Sequence, residues 1–359
     1  MSPKANESAP PPPAWLDARR RPYVIAEAGV NHNGDLGLAL RLIDAAKDAG
    51  ADCVKFQAFS ADELAVQDAP KADYQKRSGL AGESQHDMLR RHELPESAFR
   101  TLQARCRELG LDFLATPFSI PWVERLVQLG VTAIKIASGH LTALPYLQAV
   151  GHTRLPVILS TGMSNLQEVK DAIDALRQAG CGPLALLHCV SLYPTPQHRA
   201  NLAAIHTLAR HTQLPVGFSD HTLELDTGAL AVAAGATILE KHLTLDKTLP
   251  GPDHALSLTP DEFAPYAAHA RRAAAACGTG VKEPLPEELP IRNAARLSIT
   301  SAVDIPPNTP ITRQMLTIKR PGTGIPPAEI NRVINAISTC CIPPDQTITP
   351  DMIKPDTES

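Results

Sequence analysis

The chain has 359 residues, 43% of them hydrophobic, enough for one large core and a small second domain. Its 34 Lys and Arg against 38 Asp and Glu leave a formal net charge of −4, so no global field would hold nucleic acid or an anionic membrane. No apolar run approaches the roughly 18 residues of a membrane span, prolines at 10–13 stand where a signal peptide needs its apolar stretch, and the seven cysteines include no Cys-x-x-Cys pair. A cytoplasmic protein with reduced thiols, binding neither nucleic acid nor membrane, is expected.

Residues 1–20 are rich in Pro, Ala, Ser and charge and show no apolar periodicity, so they are expected to stay outside the fold as a disordered tail. From Tyr23 onward, short apolar runs at 23–29, 53–58, 113–117, 133–137, 156–159, 184–189, 215–218 and 237–239 predict eight strands. Helical patterns lie between them; in one, Leu166, Val169, Ile173 and Leu176 recur at spacings of three and four, and Gly180 stops the helix. Eight such units over 21–277 have the dimensions of a (β/α)8 TIM barrel, with a doubly wound open sheet as the alternative. The barrel is favoured by the polar residues at the C-terminal ends of the predicted strands: Glu27, Lys55 with Gln57, Thr116, Lys135 with Ser138, Ser160, His188, Ser219 with His221, and Glu240 with His242. A barrel brings all those ends to one mouth, whereas an open sheet spreads them along an edge.

Residues 278–295 read as a Pro- and Gly-rich linker, and a second domain is expected over 296–355. It contains a repeat, since 304–316 (DIPPNTPITRQML) is echoed by 341–353 (CIPPDQTITPDMI), and between the copies lies the cation-led glycine loop Lys319-Arg-Pro-Gly-Thr-Gly324.

Cations and hydroxyls converging on one site suit a small anion carrying both phosphate and carboxylate, as phosphoenolpyruvate does, and Lys55, Thr116, Lys135, Ser138, Ser160 and Ser219 supply them. A strand-end lysine is otherwise solvated or salt-bridged. Ser219-Asp220-His221-Thr222 and Glu240-Lys241-His242 place a histidine at the end of each of two adjacent strands. Such a pair, leaving positions open to water and substrate, suits a catalytic Mn²⁺ or Mg²⁺; a single strand-end histidine is more often a hydrogen-bonded structural group. His32, in the loop Asn31-His-Asn-Gly34, is read as structural, and His188 as either structural or ligand-orienting. Asp253 is presented on the rigid Pro250-Gly-Pro loop.

In order along the chain, Ile25-Ala-Glu-Ala-Gly-Val-Asn-His-Asn-Gly34, Val54-Lys-Phe-Gln57, Thr116-Pro-Phe118, Lys135-Ile-Ala-Ser-Gly139, Leu159-Ser-Thr-Gly-Met163, Leu187-His-Cys189, Tyr193-Pro-Thr-Pro196, Phe218-Ser-Asp-His-Thr222, Glu240-Lys-His242, Pro250-Gly-Pro-Asp253 and Lys319-Arg-Pro-Gly-Thr-Gly324 resemble the N-acetylneuraminate (sialic acid) synthases and their pseudaminic and legionaminic acid synthase relatives. The resemblance covers residues 20–355. It implies a (β/α)8 barrel followed by a small antifreeze-like (SAF) β-clip domain, swapped between subunits of a homodimer. It implies an enzyme that condenses phosphoenolpyruvate with an N-acylated mannose-like sugar, with His221 and His242 on the divalent metal and the two lysines and four hydroxyls on phosphoenolpyruvate. Glu27, Gln57, Tyr193 and Asp253 would face the sugar, with Glu27 moving a proton and Arg320 reaching the N-acyl group from the partner. Two positions depart from the family pattern, His140 where an acid is usual and Ser191 where an Asn is common, and both are expected on the sugar side. The alternatives are another phosphoenolpyruvate-condensing barrel enzyme and a non-catalytic carbohydrate-binding relative.

Overall fold

A computed structural model of the chain describes residues 13–17, 21–78 and 82–355. It falls into two compact units, 1–278 and 279–359.

The first unit is built on eight strands, β1 (Tyr23–Gly29), β2 (Cys53–Ala58), β3 (Asp112–Pro117), β4 (Ile134–Ile136), β5 (Val157–Ser160), β6 (Leu184–Cys189), β7 (Val216–Asp220) and β8 (Ile238–His242). They pair in parallel in the order β3-β2-β1-β8-β7-β6-β5-β4, and β3 and β4 pack side by side to complete the ring. This is the expected barrel; the open sheet is ruled out. Strand alternation then sorts the side chains. Val24, Ala26, Val54, Leu159 and Leu186 point outward into the core shared with the helices. Ile25, Cys53, Leu114, Ala133, Ile158, Ala185, Leu187 and Ile238 point inward and fill the barrel floor. Two residues further along these strands the inward positions become Glu27, Lys55, Thr116, Lys135, Ser160, Cys189 and Glu240. An apolar floor and a polar mouth thus follow from one period-two pattern read toward the C-terminal strand ends.

Part of the expected tail belongs to this floor. Ala14–Asp17 form a 3-10 turn that delivers Trp15, only 3% exposed, into the inward cluster under Tyr23 and Ile25. Periodicity could not show this, because a single turn carrying one large apolar side chain has no period. The rest of the expected tail, 1–12 and 18–20, lies outside the described residues. Trp15→Ala should lower the unfolding free energy by about 3–5 kcal/mol, read from urea denaturation midpoints.

Between β2 and the helix Glu96–Leu109 the described residues form three short helices, Ala61–Leu64, Asp73–Ser78 and Gln85–Arg91, which stand over the mouth. Among the described residues no helix is long and apolar enough to cross a membrane.

In the second unit, β9 (Ser298–Ser301) pairs antiparallel with β10 (Leu316–Lys319), and β11 (Ile337–Ser338) with β12 (Ile353–Lys354). The sequence repeat becomes structural symmetry. Ile305 bridges Ile342, Ser301 Oγ donates to the Pro343 carbonyl while Ser338 Oγ donates to that of Pro306, and Asn308 and Asp345 occupy matching left-handed turns at φ 58° and 63°. The stretch read as a linker is partly structured: Leu289–Ala295 form a helix, and the Asn293 carbonyl accepts a hydrogen bond from Gly322 N at 2.7 Å.

Candidate active site

A cavity of about 880 Å³ opens at the C-terminal ends of the strands. Of the residues singled out in the sequence, Glu27, Lys55, Gln57, Thr116, Lys135, Ser138, Ser160, Ser191, Tyr193, Ser219, His221 and His242 line it. Alternation brings them there from seven strands, and the loops after β4, β6 and β7 supply the rest.

At its base lie two lysines and two carboxylates, each side chain at most 7% exposed. Lys55 Nζ is 2.7 Å from Glu27 Oε2 and 3.7 Å from Glu240 Oε1, and Lys135 Nζ is 3.5 Å from Glu240 Oε2. Hydroxyls complete the set: Lys55 donates to Thr116 Oγ1 at 3.1 Å, Lys135 to Ser160 Oγ at 2.8 Å, and Ser219 Oγ to Glu240 Oε1 at 3.2 Å. Burial raises the Glu27 carboxyl above its ordinary pKa against the pull of Lys55. Burial acts the same way on Glu240, but there Lys135 and Lys55 together prevail and hold the carboxylate low. Four buried charges of balanced sign leave both lysines compensated until an anion takes over one of their partners' places. Glu240 was placed at a strand end by the sequence but given no role there; its signal was a carboxylate on an otherwise apolar strand two residues before His242.

The mouth geometry depends on two glycines. Gly29 sits at a bulge with φ 52°, where an added Cβ would press on Glu27 Oε1 at 3.3 Å and Gln57 Nε2 at 3.4 Å. Gly162 N donates to Ser138 Oγ at 2.9 Å, and a Cβ there would meet Ser191 Oγ at 2.3 Å.

The two strand-end imidazoles lie with ring centroids 5.6 Å apart. His221 Nδ1 is 2.9 Å from the Val190 carbonyl, which can only accept, so Nδ1 carries a proton and Nε2 is the nitrogen that offers a lone pair in the neutral ring, although, against burial, the nearby Cys189 thiol raises the imidazole pKa. His242 Nδ1 is buried without a hydrogen-bond partner, 3.8 Å from Asp253 Oδ2, and burial followed by the nearby His221 holds its imidazole neutral. An orphaned buried nitrogen and an oriented lone pair fit a divalent cation. Among the described residues, no group of three or more His, Cys, Asp and Glu is arranged to hold one, so the remaining positions would fall to water and substrate.

Asp253, buried behind His242, has its pKa pushed up to about 7 by burial and then by Glu27. The cap contributes Tyr74, Gln75 and Gln85, which the sequence did not reveal; Tyr74 stacks on Tyr193 at 4.8 Å between centroids. Arg320 lies exposed in the second unit, on the loop after β10.

His140 does not line the cavity, contrary to the expectation that it faces the sugar. It ends the 3-10 turn Ser138–His140, which advances about 120° per residue, so when Ser138 points into the mouth His140 points away. Its Nε2 donates to the Phe118 carbonyl at 3.1 Å and its ring packs 4.5 Å from that of Tyr146. His188 takes the structural alternative, donating from Nε2 to the Ala200 carbonyl at 2.8 Å.

His32 is structural as expected: its Nδ1 accepts from Gly34 N at 3.0 Å, and burial lowers its pKa from 6.5 to about 4. Above pH 6.5 both folded and unfolded chains hold it neutral. As pH falls from about 6.5 to about 4 only the unfolded chain takes up the proton, so stability drops, by about 3 kcal/mol for this group. His254, lowered to about 4 by its own burial, acts in the same sense. His32→Gln should therefore flatten the pH dependence of the urea midpoint between pH 6.5 and 4 relative to wild type.

Residues 42–282 match the NeuB family and residues 296–354 match the SAF domain. The N,N'-diacetyllegionaminic acid synthase of Legionella pneumophila is 45% identical over 318 residues, 88% of this chain and 89% of that protein. The protein of the same name from Campylobacter jejuni is 40% identical, covering 89% of this chain and 96% of its own length. The crystal structure of the N-acetylneuraminic acid (sialic acid) synthetase of Leptospira borgpetersenii superposes with a TM-score of 0.68 at 37% identity, over 76% of this chain and 92% of that one. A barrel with this polar mouth, a second unit built on a repeat, and these matches along most of the chain place the protein in the NeuB family, with a SAF domain at residues 296–354.

Proposed function

We propose that this enzyme joins C3 of phosphoenolpyruvate to the aldehyde of an open-chain, N-acylated mannose-like sugar, giving a nine-carbon 2-keto sugar acid and phosphate. The observation that carries the reading is the gathering of Lys55, Lys135 and four hydroxyls in one cavity, Lys55 bonded to Thr116 and Lys135 to Ser160, beside two strand-end imidazoles. Lys55, Lys135, Thr116, Ser138, Ser160 and Ser219 bind the phosphate and carboxylate. Mn²⁺ or Mg²⁺ on His221 and His242 would supply Lewis-acid polarisation of the aldehyde. Glu27, steadied by the Gln57 amide at 3.3 Å, moves the proton of the water that adds at C2, after which phosphate leaves by C–O cleavage. Tyr193 and Ser191 face the sugar, and Asp253, which does not line the cavity, acts through His242.

A diacetamido trideoxy hexose is the acceptor we put first, because both curated relatives described above are N,N'-diacetyllegionaminic acid synthases. Phosphate release measured with phosphoenolpyruvate and a panel of that sugar, N-acetylmannosamine and its 6-phosphate tests this. A higher kcat/KM for either mannosamine would overturn the acceptor, and no release with any N-acyl sugar would overturn the condensation.

Arg320 is assigned to the acceptor's acyl group in a partner subunit of a swapped homodimer. Mixed Glu27→Ala and Arg320→Ala dimers should then regain about one quarter of wild-type sites under random pairing. No recovery, with heterodimers confirmed by native mass spectrometry, would reject the swap.

A further inference from the structure

Between the residues that line the mouth, β7 and β8 each carry one charged residue pointing the other way. Asp220 precedes His221 and Lys241 precedes His242, and the two are register partners across the β7–β8 ladder. Alternation turns both out of the barrel, under the helix Pro260–Cys277, where their side chains are 0% and 1% exposed. Lys241 Nζ is 3.1 Å from Asp220 Oδ2 and lies over the Tyr266 ring, 5.3 Å from its centroid. The same ammonium donates to the Thr222 carbonyl, while Asp220 Oδ1 accepts from Thr222 N at 2.8 Å. The pair therefore clamps both the strand ladder and the first residue after His221.

A buried ion pair is a poor source of stability, since apolar residues of similar volume often serve as well or better. What it supplies is discrimination: sliding β7 against β8 would strand two charges in a wall of apolar side chains, whereas an apolar pair tolerates small displacements. We propose that Asp220 and Lys241 are positioning residues that fix the separation of His221 and His242, and through it the affinity for the divalent cation. This rests on the reading of those two histidines as ligands.

The test uses the full-length protein and Mn²⁺ alone, with free Mn²⁺ followed by electron paramagnetic resonance. Wild type should bind Mn²⁺, and the apolar variant Asp220→Leu/Lys241→Met should bind at least tenfold more weakly while keeping a Tm and circular dichroism spectrum close to wild type. A merely structural pair would move Tm and leave the affinity of the folded protein alone. Equal affinity in the folded variant overturns the proposal while sparing the metal site. Absence of Mn²⁺ binding by wild type removes the ligand reading and the proposal with it. Should the apolar variant fail to fold, Asp220→Asn/Lys241→Gln, which keeps hydrogen-bonding groups at both positions, is judged by the same criterion. If neither folds, the pair serves stability and the proposal fails.

Discussion

Lys135→Met should reduce kcat/KM for phosphoenolpyruvate by about three orders of magnitude. The substitution keeps the volume and removes the charge at a side chain held by Ser160 and 3.5 Å from Glu240. Two effects then act together. The incoming anion loses one of two cations, and unit charges about 4 Å apart are worth about 4 kcal/mol at an effective dielectric of 20. Glu240 also loses one of its two compensating lysines, and its less-compensated charge repels the incoming anion. Lys135→Arg should not restore activity, because a planar fork cannot occupy the narrow place of an ammonium between Ser160 and Glu240. Steady-state kinetics with both substrates, together with circular dichroism to confirm folding, would check this. A folded Lys135→Met enzyme retaining a tenth of wild-type kcat/KM would sink the assignment of the base of the cavity to the anion.

Exhaustive chelation should abolish turnover, and added Mn²⁺ or Mg²⁺ should restore it. His221→Ala and His242→Ala should each lose at least a thousandfold in turnover, since two protein ligands leave no redundancy. Their environments make the losses distinguishable. His221 is oriented by the Val190 carbonyl and by the Tyr193 ring at 4.2 Å, so its removal should also loosen the sugar side and raise the acceptor KM at saturating metal. His242 stands against Asp253, a carboxyl that burial already pushes up, and its loss should act mainly on metal affinity. Full activity in chelated enzyme, or normal turnover in both variants, would refute the metal site.

How much of this was legible beforehand can be followed residue by residue. Lys55, Thr116, Lys135, Ser160, Ser219, His221 and His242 stood out because a polar side chain at the end of an apolar strand breaks a pattern that is otherwise strict. Glu240 broke the same pattern and was placed at the mouth, but only its neighbour His242 was given a role. His140 was assigned to the sugar on its place in a motif, but the turn that holds it carries one side chain into the mouth and the next but one away from it.

The sequence by itself determined the barrel, the repeat in the second unit, and which strand ends bring polar side chains to the mouth, because period-two and period-3.6 patterns are local and survive in one dimension. The tertiary structure alone decided that Trp15 plugs the barrel floor, that Tyr74 comes down from the cap onto Tyr193, and that Asp220 meets Lys241 behind the two histidines. Each of these joins residues far apart in the chain through a side chain that no local period selects. Such contacts arise only once the closed sheet sets strand neighbours, inward and outward faces, and the depth at which each side chain ends.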